Sequence, residues 1–107
     1  MKTLSIIIVN WNTSEYLVNC LNSIEKHLKN KTDYEIFVFD NNSADNSVDI
    51  LKKEFQQVKL FTSETNIGFG SANNVLLNSC NSKYTLILNP DILFIDGSFV
   101  NMIKYNK

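Results

Sequence analysis

The stretch that decides the fold is Leu86-Ile-Leu-Asn-Pro-Asp-Ile-Leu93, an apolar run of strand length that is broken by a polar turn. An earlier apolar run, Tyr34-Glu-Ile-Phe-Val-Phe-Asp40, ends on an acid in the same way. In an open α/β sheet, ligands bind beyond the carboxyl ends of the strands. We therefore expect Asp40 and Asp91 to lie at one edge of one sheet, outside the hydrophobic core. Two acids in that place suit a nucleotide that is held partly through a divalent cation.

Composition sets the broad class of the chain. Its 107 residues are 44% hydrophobic and 20% charged, which suits one compact domain with its own core. Ten basic and eleven acidic residues leave a net charge of -1, so the chain lacks the positive surface expected of a nucleic-acid-binding protein. Nucleic acid is therefore not an expected partner.

The cysteines and the first apolar run bear on the cellular compartment. Cys20 and Cys80 lie apart in apolar patterns, which indicates thiols that fill the core rather than a disulfide or a zinc site. The apolar run over residues 4–9 is much shorter than the ~20 residues that span a bilayer. We expect no membrane segment in this chain. The expected location is the cytoplasm, or the inner membrane face if the chain is part of a longer, peripherally attached protein.

Short apolar runs alternate with helical patterns along the chain. The runs predict strands at residues 4–9, 36–39, 58–61 and 84–88. Strands that are joined by helical crossovers pair in parallel with right-handed connections. The predicted fold class is therefore α/β, with a doubly wound and mostly parallel sheet.

Three helices are predicted between these strands, and a short fourth one from Gly97 through Ile103. The first carries apolar residues at spacings of three and four, with Thr13 or Ser14 as its N-cap. The second is expected to be capped by Ser43 or Asp45. The residues expected on the inward faces of the first, second and third helices are, in turn, Leu17, Cys20, Leu21, Ile24 and Leu28; Val48, Leu51 and Phe55; Ala72, Val75, Leu76 and Ser79.

Common phosphate and calcium motifs are missing. The loop at residues 10–14 has neither the glycine-rich dinucleotide pattern nor a P-loop. The segment from Asp40 to Asp45 is no calcium loop, because Ala44 occupies a ligand position and Asp45 stands where glycine is required. Taken singly, Asp40 is equally compatible with a helix-capping turn, and Asn89-Pro90-Asp91 with an ordinary strand-ending turn. Their predicted place on one sheet edge favours ligand binding.

Four motifs follow one another between residues 5 and 91: Ser5-Ile-Ile-Ile-Val-Asn-Trp-Asn12, Val38-Phe-Asp-Asn-Asn-Ser-Ala-Asp45, Asn66-Ile-Gly-Phe-Gly-Ser-Ala-Asn-Asn74 and Leu88-Asn-Pro-Asp91. Together they resemble the N-terminal half of family 2 glycosyltransferases, especially the rhamnosyltransferase-like branch. The resemblance implies a GT-A fold, whose Rossmann-like nucleotide-binding half comes first. Residues 1–107 would be the nucleotide-sugar-binding part of a truncated domain, without the acceptor-binding half.

The resemblance also implies roles for residues near the base. Asn10 and Trp11 would lie at the base-binding end of the first strand, and Asp40 would contact the pyrimidine or its ribose. Asn42 belongs to the same nucleotide-binding motif.

Two further segments are assigned through the resemblance. Asn66 and Gly68 would shape the loop beside the base. Asn74 matches the family's Asn in the following helix, whereas Asn73 stands where many relatives have an Arg that could contact the diphosphate.

A metal site is implied at Asn89-Pro90-Asp91. This segment matches the family's Asp-x-Asp motif with the first acid replaced by Asn89. Asp91 would coordinate Mg²⁺ or Mn²⁺, which prefer oxygen ligands, and Asn89 would hydrogen-bond the ribose or a metal-bound water.

The implied activity is inverting, metal-dependent transfer of a sugar from a UDP- or dTDP-sugar to a glycan or lipid-linked acceptor. No general base is identified, because in the family this acid comes from the acceptor-binding half, so we expect the chain alone to bind nucleotide sugar without transferring it. A non-catalytic nucleotide- or partner-binding module derived from such an enzyme is the alternative. A sugar nucleotidyltransferase is disfavoured because its glycine-rich, lysine-containing signature is missing. An uncovered sheet edge is expected to allow self-association.

Overall fold

Strands and helices alternate strictly in the computed structural model of the chain, which describes residues 2–91. The elements are β1 Leu4–Asn10, α1 Ser14–Leu28, β2 Tyr34–Asp40, α2 Ser47–Glu54, β3 Lys59–Thr62, α3 Phe69–Ser79 and β4 Tyr84–Leu88. The predicted order of elements is confirmed. β1 and β2 run one residue further than the apolar pattern, so that each ends on a polar residue, Asn10 or Asp40. The helix expected after Gly97 lies outside the described residues.

The strands form one parallel sheet in the order β3-β2-β1-β4. The register places Asn10 of β1 directly beside Asp40 of β2 at the carboxyl end of both strands. Parallel pairing through helical connections therefore confirms the predicted α/β, doubly wound class. Its consequence is that the loops after β1, β2 and β4 all begin at the same edge of the sheet.

The core has two layers because side chains alternate across the sheet. All seven residues of β1 are buried, since this strand lies inside the sheet and is covered on both faces. On one face, Leu4, Ile6 and Ile8 pack with the buried stripe of α1. On the other face, Ile7 and Val9 belong to a smaller cluster. The buried residues of α1 are those predicted, namely Leu17, Cys20, Leu21, Ile24 and Leu28.

The buried face of α3 differs from the prediction. Ala72, Asn73 and Leu76 are its buried residues, whereas Val75 is 37% exposed and Ser79 is exposed. The helix rests on β1 and β2 by a narrow stripe. The spacing of the residues on α3 therefore predicted a wider buried face than the structure forms. Asn73, which was not among the residues expected on this face, is buried there. Its Oδ1 has no hydrogen-bond partner.

β4 is an edge strand among the described residues. Its burial alternates, and Ile87 is 48% exposed on the face where α3 leaves the strand bare. Leu88 is buried on the opposite face, with Leu86 packed against the larger core cluster. An edge strand with one covered face alternates in this way.

Candidate nucleotide-sugar site

A cleft of about 410 Å³ opens at the carboxyl ends of the strands. Its walls come from the segments that follow β1, β2, β3 and β4, which the parallel topology brings to one edge. The residues that line it are Val9, Trp11, Thr13, Asn41, Asn66, Phe69, Asn89, Pro90 and Asp91. A concave site with a few polar groups at this edge is the usual place for a ligand in such a fold.

The cleft contains four of the nine residues that the sequence singled out. Trp11, Asn66, Asn89 and Asp91 line it. The other five do not: Asn10 and Asp40 are buried, and Asn42, Gly68 and Asn74 are exposed outside its lining.

Sequence interpretation missed Asn41 and Phe69 as residues of the cleft. Asn41 directly follows Asp40, the residue that was assigned to the base contact. Phe69 follows Gly68 in the third motif and is 53% exposed.

Asp40 holds a polar cluster beneath the cleft. Its side chain is only 2% exposed, and its Oδ1 accepts hydrogen bonds from Asn10 Nδ2 at 3.0 Å and Ser43 Oγ at 2.7 Å. Its Oδ2 accepts from the Ser43 backbone N–H at 2.9 Å. Asn10 is itself held because Thr13 Oγ1 donates to its Oδ1 at 2.6 Å. A buried carboxylate with both oxygens engaged organises the loops instead of standing free at the surface.

The loop after β1 is tied to the loop after β2 by hydrogen bonds in both directions. The Asn12 backbone N–H donates to Ser43 Oγ at 2.9 Å, and the Ala44 backbone N–H donates to Asn12 Oδ1 at 2.7 Å. Asn12 and Asn42 have φ of 53° and 64°, a left-handed conformation that asparagine tolerates better than most residues. The Asn-rich composition of these loops thus supports two tight turns.

Asp45 serves the N-termini of two helices. Its Oδ2 accepts from the Ser14 backbone N–H of α1 at 3.1 Å, and its Oδ1 accepts from the Ser47 backbone N–H of α2 at 3.0 Å and from Ser47 Oγ. Partial burial by itself would raise the pKa of Asp45, but the hydrogen bonds from Ser47 and Ser14 outweigh it and hold the pKa below its ordinary value. The carboxylate is therefore ionised at neutral pH, which suits the positive end of a helix.

The expected caps of α1 are not used as caps. Thr13 is the N-cap residue but forms no side-chain capping bond, since its hydroxyl donates to Asn10. The cap comes instead from Asp45, 31 residues away in sequence. The same residue confirms one of the two caps predicted for α2, although the N-cap position itself is Asn46.

Asn41 presents an oriented amide at the cleft. It is 2% exposed, its backbone N–H donates to Asn10 O at 2.8 Å, and its Oδ1 accepts from the Ile67 backbone N–H at 2.8 Å. A backbone N–H can only donate, so the oxygen of the amide must face Ile67 and the Nδ2 group remains for a ligand. Asn41 thereby also joins the β3–α3 loop to the end of β2.

The same loop contains Gly68, which precedes α3 with φ of 87°. Its backbone N–H donates to Asn66 Oδ1 at 2.9 Å. A side chain at Gly68 would be strained by this φ, although a Cβ there would meet no atom within 4 Å. Gly68 therefore shapes the β3–α3 loop through its backbone, directly before the cleft residue Phe69.

Asp91 is the one carboxylate among the cleft-lining residues of the described chain. It is exposed beside Asn89, and residues 2–91 contain no group of three His, Cys, Asp or Glu side chains arranged to hold a metal. Mg²⁺ commonly binds proteins through one or two carboxylates and takes further ligands from substrate phosphates. An exposed Asp91, two residues after the cleft residue Asn89, fits that mode of binding.

The two cysteine thiols are not candidates for metal binding or for nucleophilic catalysis. Both cysteines are free, and Cys20 is buried in the larger core cluster. Burial, and then the negative charge of Asp91, raise the pKa of Cys20 to about 11, and burial is the main cause that raises the pKa of Cys80. Both thiols are therefore protonated at neutral pH and act as packing groups, as predicted.

None of the helices within residues 2–91 is long and apolar enough to cross a membrane.

Solved structures of glycosyltransferases share this fold. A crystal structure of Staphylococcus aureus TarS 1–349 in complex with UDP-GlcNAc superposes with a TM-score of 0.82 and 27% identity, covering 96% of this chain and 30% of that one. The mannosyltransferase PcManGT from Pyrobaculum calidifontis has a TM-score of 0.83 at 16% identity, covering 92% and 30% of the two chains. The implied GT-A fold is thereby confirmed.

Curated proteins agree with the structural neighbours. The poly(ribitol-phosphate) beta-N-acetylglucosaminyltransferase TarS of S. aureus is 32% identical over 94 residues, covering 85% of this chain and 16% of that protein. The poly(ribitol-phosphate) beta-glucosyltransferase of Bacillus spizizenii is 32% identical over 108 residues, covering 97% and 17%. The chain thus spans about a sixth of the length of these relatives. They do not confirm the narrower resemblance to the rhamnosyltransferase-like branch. A sequence profile described as Glycosyl transferase family 2 matches residues 5–106, so the chain belongs to glycosyltransferase family 2.

Proposed function

We propose that the cleft binds a nucleotide-diphosphate sugar, and that the chain is the sugar-nucleotide-binding part of an enzyme that transfers the sugar to a glycan or lipid-linked acceptor. The observation that carries this proposal is the cleft at the carboxyl ends of the strands. It is lined by two exposed aromatic residues, three Asn amides and one exposed carboxylate. The similarity to TarS, which was solved with UDP-GlcNAc, supports a uridine nucleotide as a candidate ligand.

In this proposal Asn41 contacts the base. Its Oδ1 is occupied by Ile67, so its Nδ2 group is available to donate to a carbonyl oxygen of uracil or thymine. Trp11 and Phe69, 54% and 53% exposed, are suited to form the apolar walls. Asp40, assigned to the base contact from the sequence, acts one layer below by holding Asn10 and Ser43 in place. Asn10 and Asn42 contribute to nucleotide binding through the same loops.

The proposal assigns Mg²⁺ or Mn²⁺ to Asp91. A cation there would neutralise the negative charge that builds up on the nucleoside diphosphate as the sugar departs. Asn89 lies beside it and is suited to hydrogen-bond the ribose or a metal-bound water. Inverting transfer requires a general base that deprotonates the acceptor hydroxyl as it attacks the opposite face of the sugar. Among the described residues that line the cleft, Asp91 is the only acid, and this proposal assigns it to the metal.

Calorimetric titration of the chain with UDP, dTDP and ADP, with and without Mn²⁺, tests the proposal. We expect UDP or dTDP to bind in a metal-dependent way and ADP to bind more weakly. Trp11→Ala should weaken binding. Tyr16→Ala is the matched control, because Tyr16 is a 57% exposed aromatic outside the cleft lining.

Preferential binding of ADP would contradict the pyrimidine assignment. Equal losses in the two aromatic variants would show that the nucleotide does not occupy this cleft. Binding of UDP without a metal requirement would favour the alternative of a non-catalytic nucleotide-binding module.

A further inference from the structure

We propose that Asp45 is a positioning residue of the sugar-nucleotide site: it fastens the loop that carries Trp11 to the loop that carries Asn41. This inference rests on the proposed function for its consequence in binding, although the fastening itself concerns the chain alone. Asp45 does not line the cleft, so any effect on a nucleotide has to pass through the residues it holds.

The contacts of Asp45 bridge two loops that are distant in sequence. One carboxylate oxygen accepts from the Ser14 backbone N–H, and the other accepts from the Ser47 backbone N–H. Because Ser14 begins α1 and Ser47 begins α2, a single charged group orients the starts of both helices. A hydrogen bond to an ionised acceptor is stronger than one between neutral groups, and it lies here at the positive ends of both helices.

The position of Trp11 depends on this bridge more than on packing. Its side chain is 54% exposed, so burial contributes little to its placement. It stands in the short connection between Asn10, which is held by Asp40, and Ser14, which is held by Asp45. Releasing Ser14 would loosen one end of that connection, where the bond from Thr13 Oγ1 to Asn10 Oδ1 would remain.

Other bonds join the two loops at Asn10, whose Nδ2 donates to Ser43 Oγ and whose backbone oxygen accepts from the Asn41 backbone N–H. Neither of these bonds holds the Ser14 end of the connection. The contacts from Asn12 to Ser43 and from Ala44 to Asn12 involve neutral groups at exposed positions. The bond from Ser14 to Asp45 is equally exposed, but its acceptor is ionised and lies at a helix terminus, where a hydrogen bond is stronger than one between neutral groups. The bridge through Asp45 is therefore the contact whose loss should be seen at Trp11.

Three variants of the 107-residue chain test the inference: Asp45→Ala, Asp45→Asn and Asp49→Ala. The asparagine amide has one carbonyl oxygen in place of two carboxylate oxygens, so Asp45→Asn retains an acceptor for only one helix. Asp49→Ala is the matched control, because Asp49 is an exposed acid in the first turn of α2. It removes the same charge near the same helix without removing the bridge.

Trp11 is the only tryptophan of the chain, so its fluorescence reports on this loop. Without nucleotide, and well below the unfolding temperature, we expect easier quenching by acrylamide in Asp45→Ala, a smaller change in Asp45→Asn and none in Asp49→Ala. The Kd for UDP with Mn²⁺ should rise about fivefold in Asp45→Ala, a factor typical of losing one helix-capping interaction.

Each outcome decides the matter. Unchanged quenching in both Asp45 variants overturns the inference, even if urea denaturation shows that they are less stable, because a purely structural cap would lower stability alone. If Asp45→Ala does not fold, Asp45→Asn supplies the test. If quenching changes but the wild-type chain binds neither UDP nor dTDP, the bridge stands and the proposed function fails.

Discussion

Asp40 and Asp91 are similar in sequence but differ in what surrounds their carboxylates. Asp40 ends β2 with a partner strand on each side, and Asn10 and Ser43 occupy its oxygens. Asp91 follows an edge strand and is exposed in the cleft. Removing the two carboxylates should therefore have different consequences.

Asp91→Asn should weaken UDP binding in the presence of Mn²⁺ by about tenfold, equivalent to about 1.4 kcal/mol, because it removes a charged metal ligand. In EDTA the variant and the wild type should bind alike, since no base contact is lost. Calorimetry under both conditions measures this. Glu64→Gln is the control, because Glu64 is an exposed acid outside the cleft lining. Wild-type affinity of Asp91→Asn in Mn²⁺ would leave Asn89-Pro90-Asp91 as an ordinary turn.

Asp40→Ala should lower the free energy of unfolding by about 1–3 kcal/mol, because it leaves Asn10 Nδ2 and the Ser43 donors without their acceptor in a buried place. The sequence had placed this acid outside the core, where its loss would cost little. UDP binding should weaken with Mn²⁺ and with EDTA alike, since the base-side loops are disturbed. Urea denaturation and calorimetry provide the two measurements, and unchanged stability would show that the buried cluster contributes nothing.

At the scale of elements, coverage of the sheet decides which side chains are buried. β1 is covered on both faces, whereas β4 has one covered face and α3 contacts the sheet by a narrow stripe. An apolar residue on α3 or β4 therefore contributes to stability only if it faces a neighbour.

Two neighbouring residues of α3 make this measurable. Leu76→Ala should lower the free energy of unfolding by about 2–5 kcal/mol, because Leu76 is fully buried in the smaller core cluster. Val75→Ala should cost less than about 1 kcal/mol, since Val75 is 37% exposed. Urea denaturation of both variants compares them in one helix. Equal losses would mean that α3 packs by the wider face predicted from its spacing.

The bare face of β4 should promote association. Ile87→Lys is expected to reduce self-association at high protein concentration, because it places a charge on an exposed apolar edge strand. Light scattering measures the mass of both proteins. Thr85→Lys, on the same strand and face, should act in the same direction but less strongly, since Thr85 offers less apolar surface. If wild-type chain is monomeric at all concentrations, β4 does not mediate association.

At the scale of the whole molecule, the cleft lining within residues 2–91 includes a single carboxylate, that of Asp91. If Asp91 holds a metal, it is not available to deprotonate an acceptor hydroxyl. General-base catalysis alone is typically worth about 10²–10⁴-fold in rate. Positioning of the acceptor contributes further.

We therefore expect the 107-residue chain to bind nucleotide sugar without measurable transfer. Incubation with UDP-GlcNAc, Mn²⁺ and a panel of simple sugar acceptors, followed by assay of released UDP, tests this expectation. A reaction without acceptor serves as the control for spontaneous hydrolysis. Release of UDP that depends on the acceptor would show that a base lies within the chain.

The sequence by itself determined the order of strands and helices, because the apolar spacing of each segment is a local property. It also placed the loops after β1, β2 and β4 at one edge, since parallel strands direct all their carboxyl ends the same way. Only the tertiary structure decided which polar residue of each loop faces the cleft. Consecutive residues at a strand end point to opposite sides, and the partners that engage Asp40 include Asn10, 30 residues away. The same holds for Asp45, whose link to α1 spans 31 residues and is invisible to any local pattern.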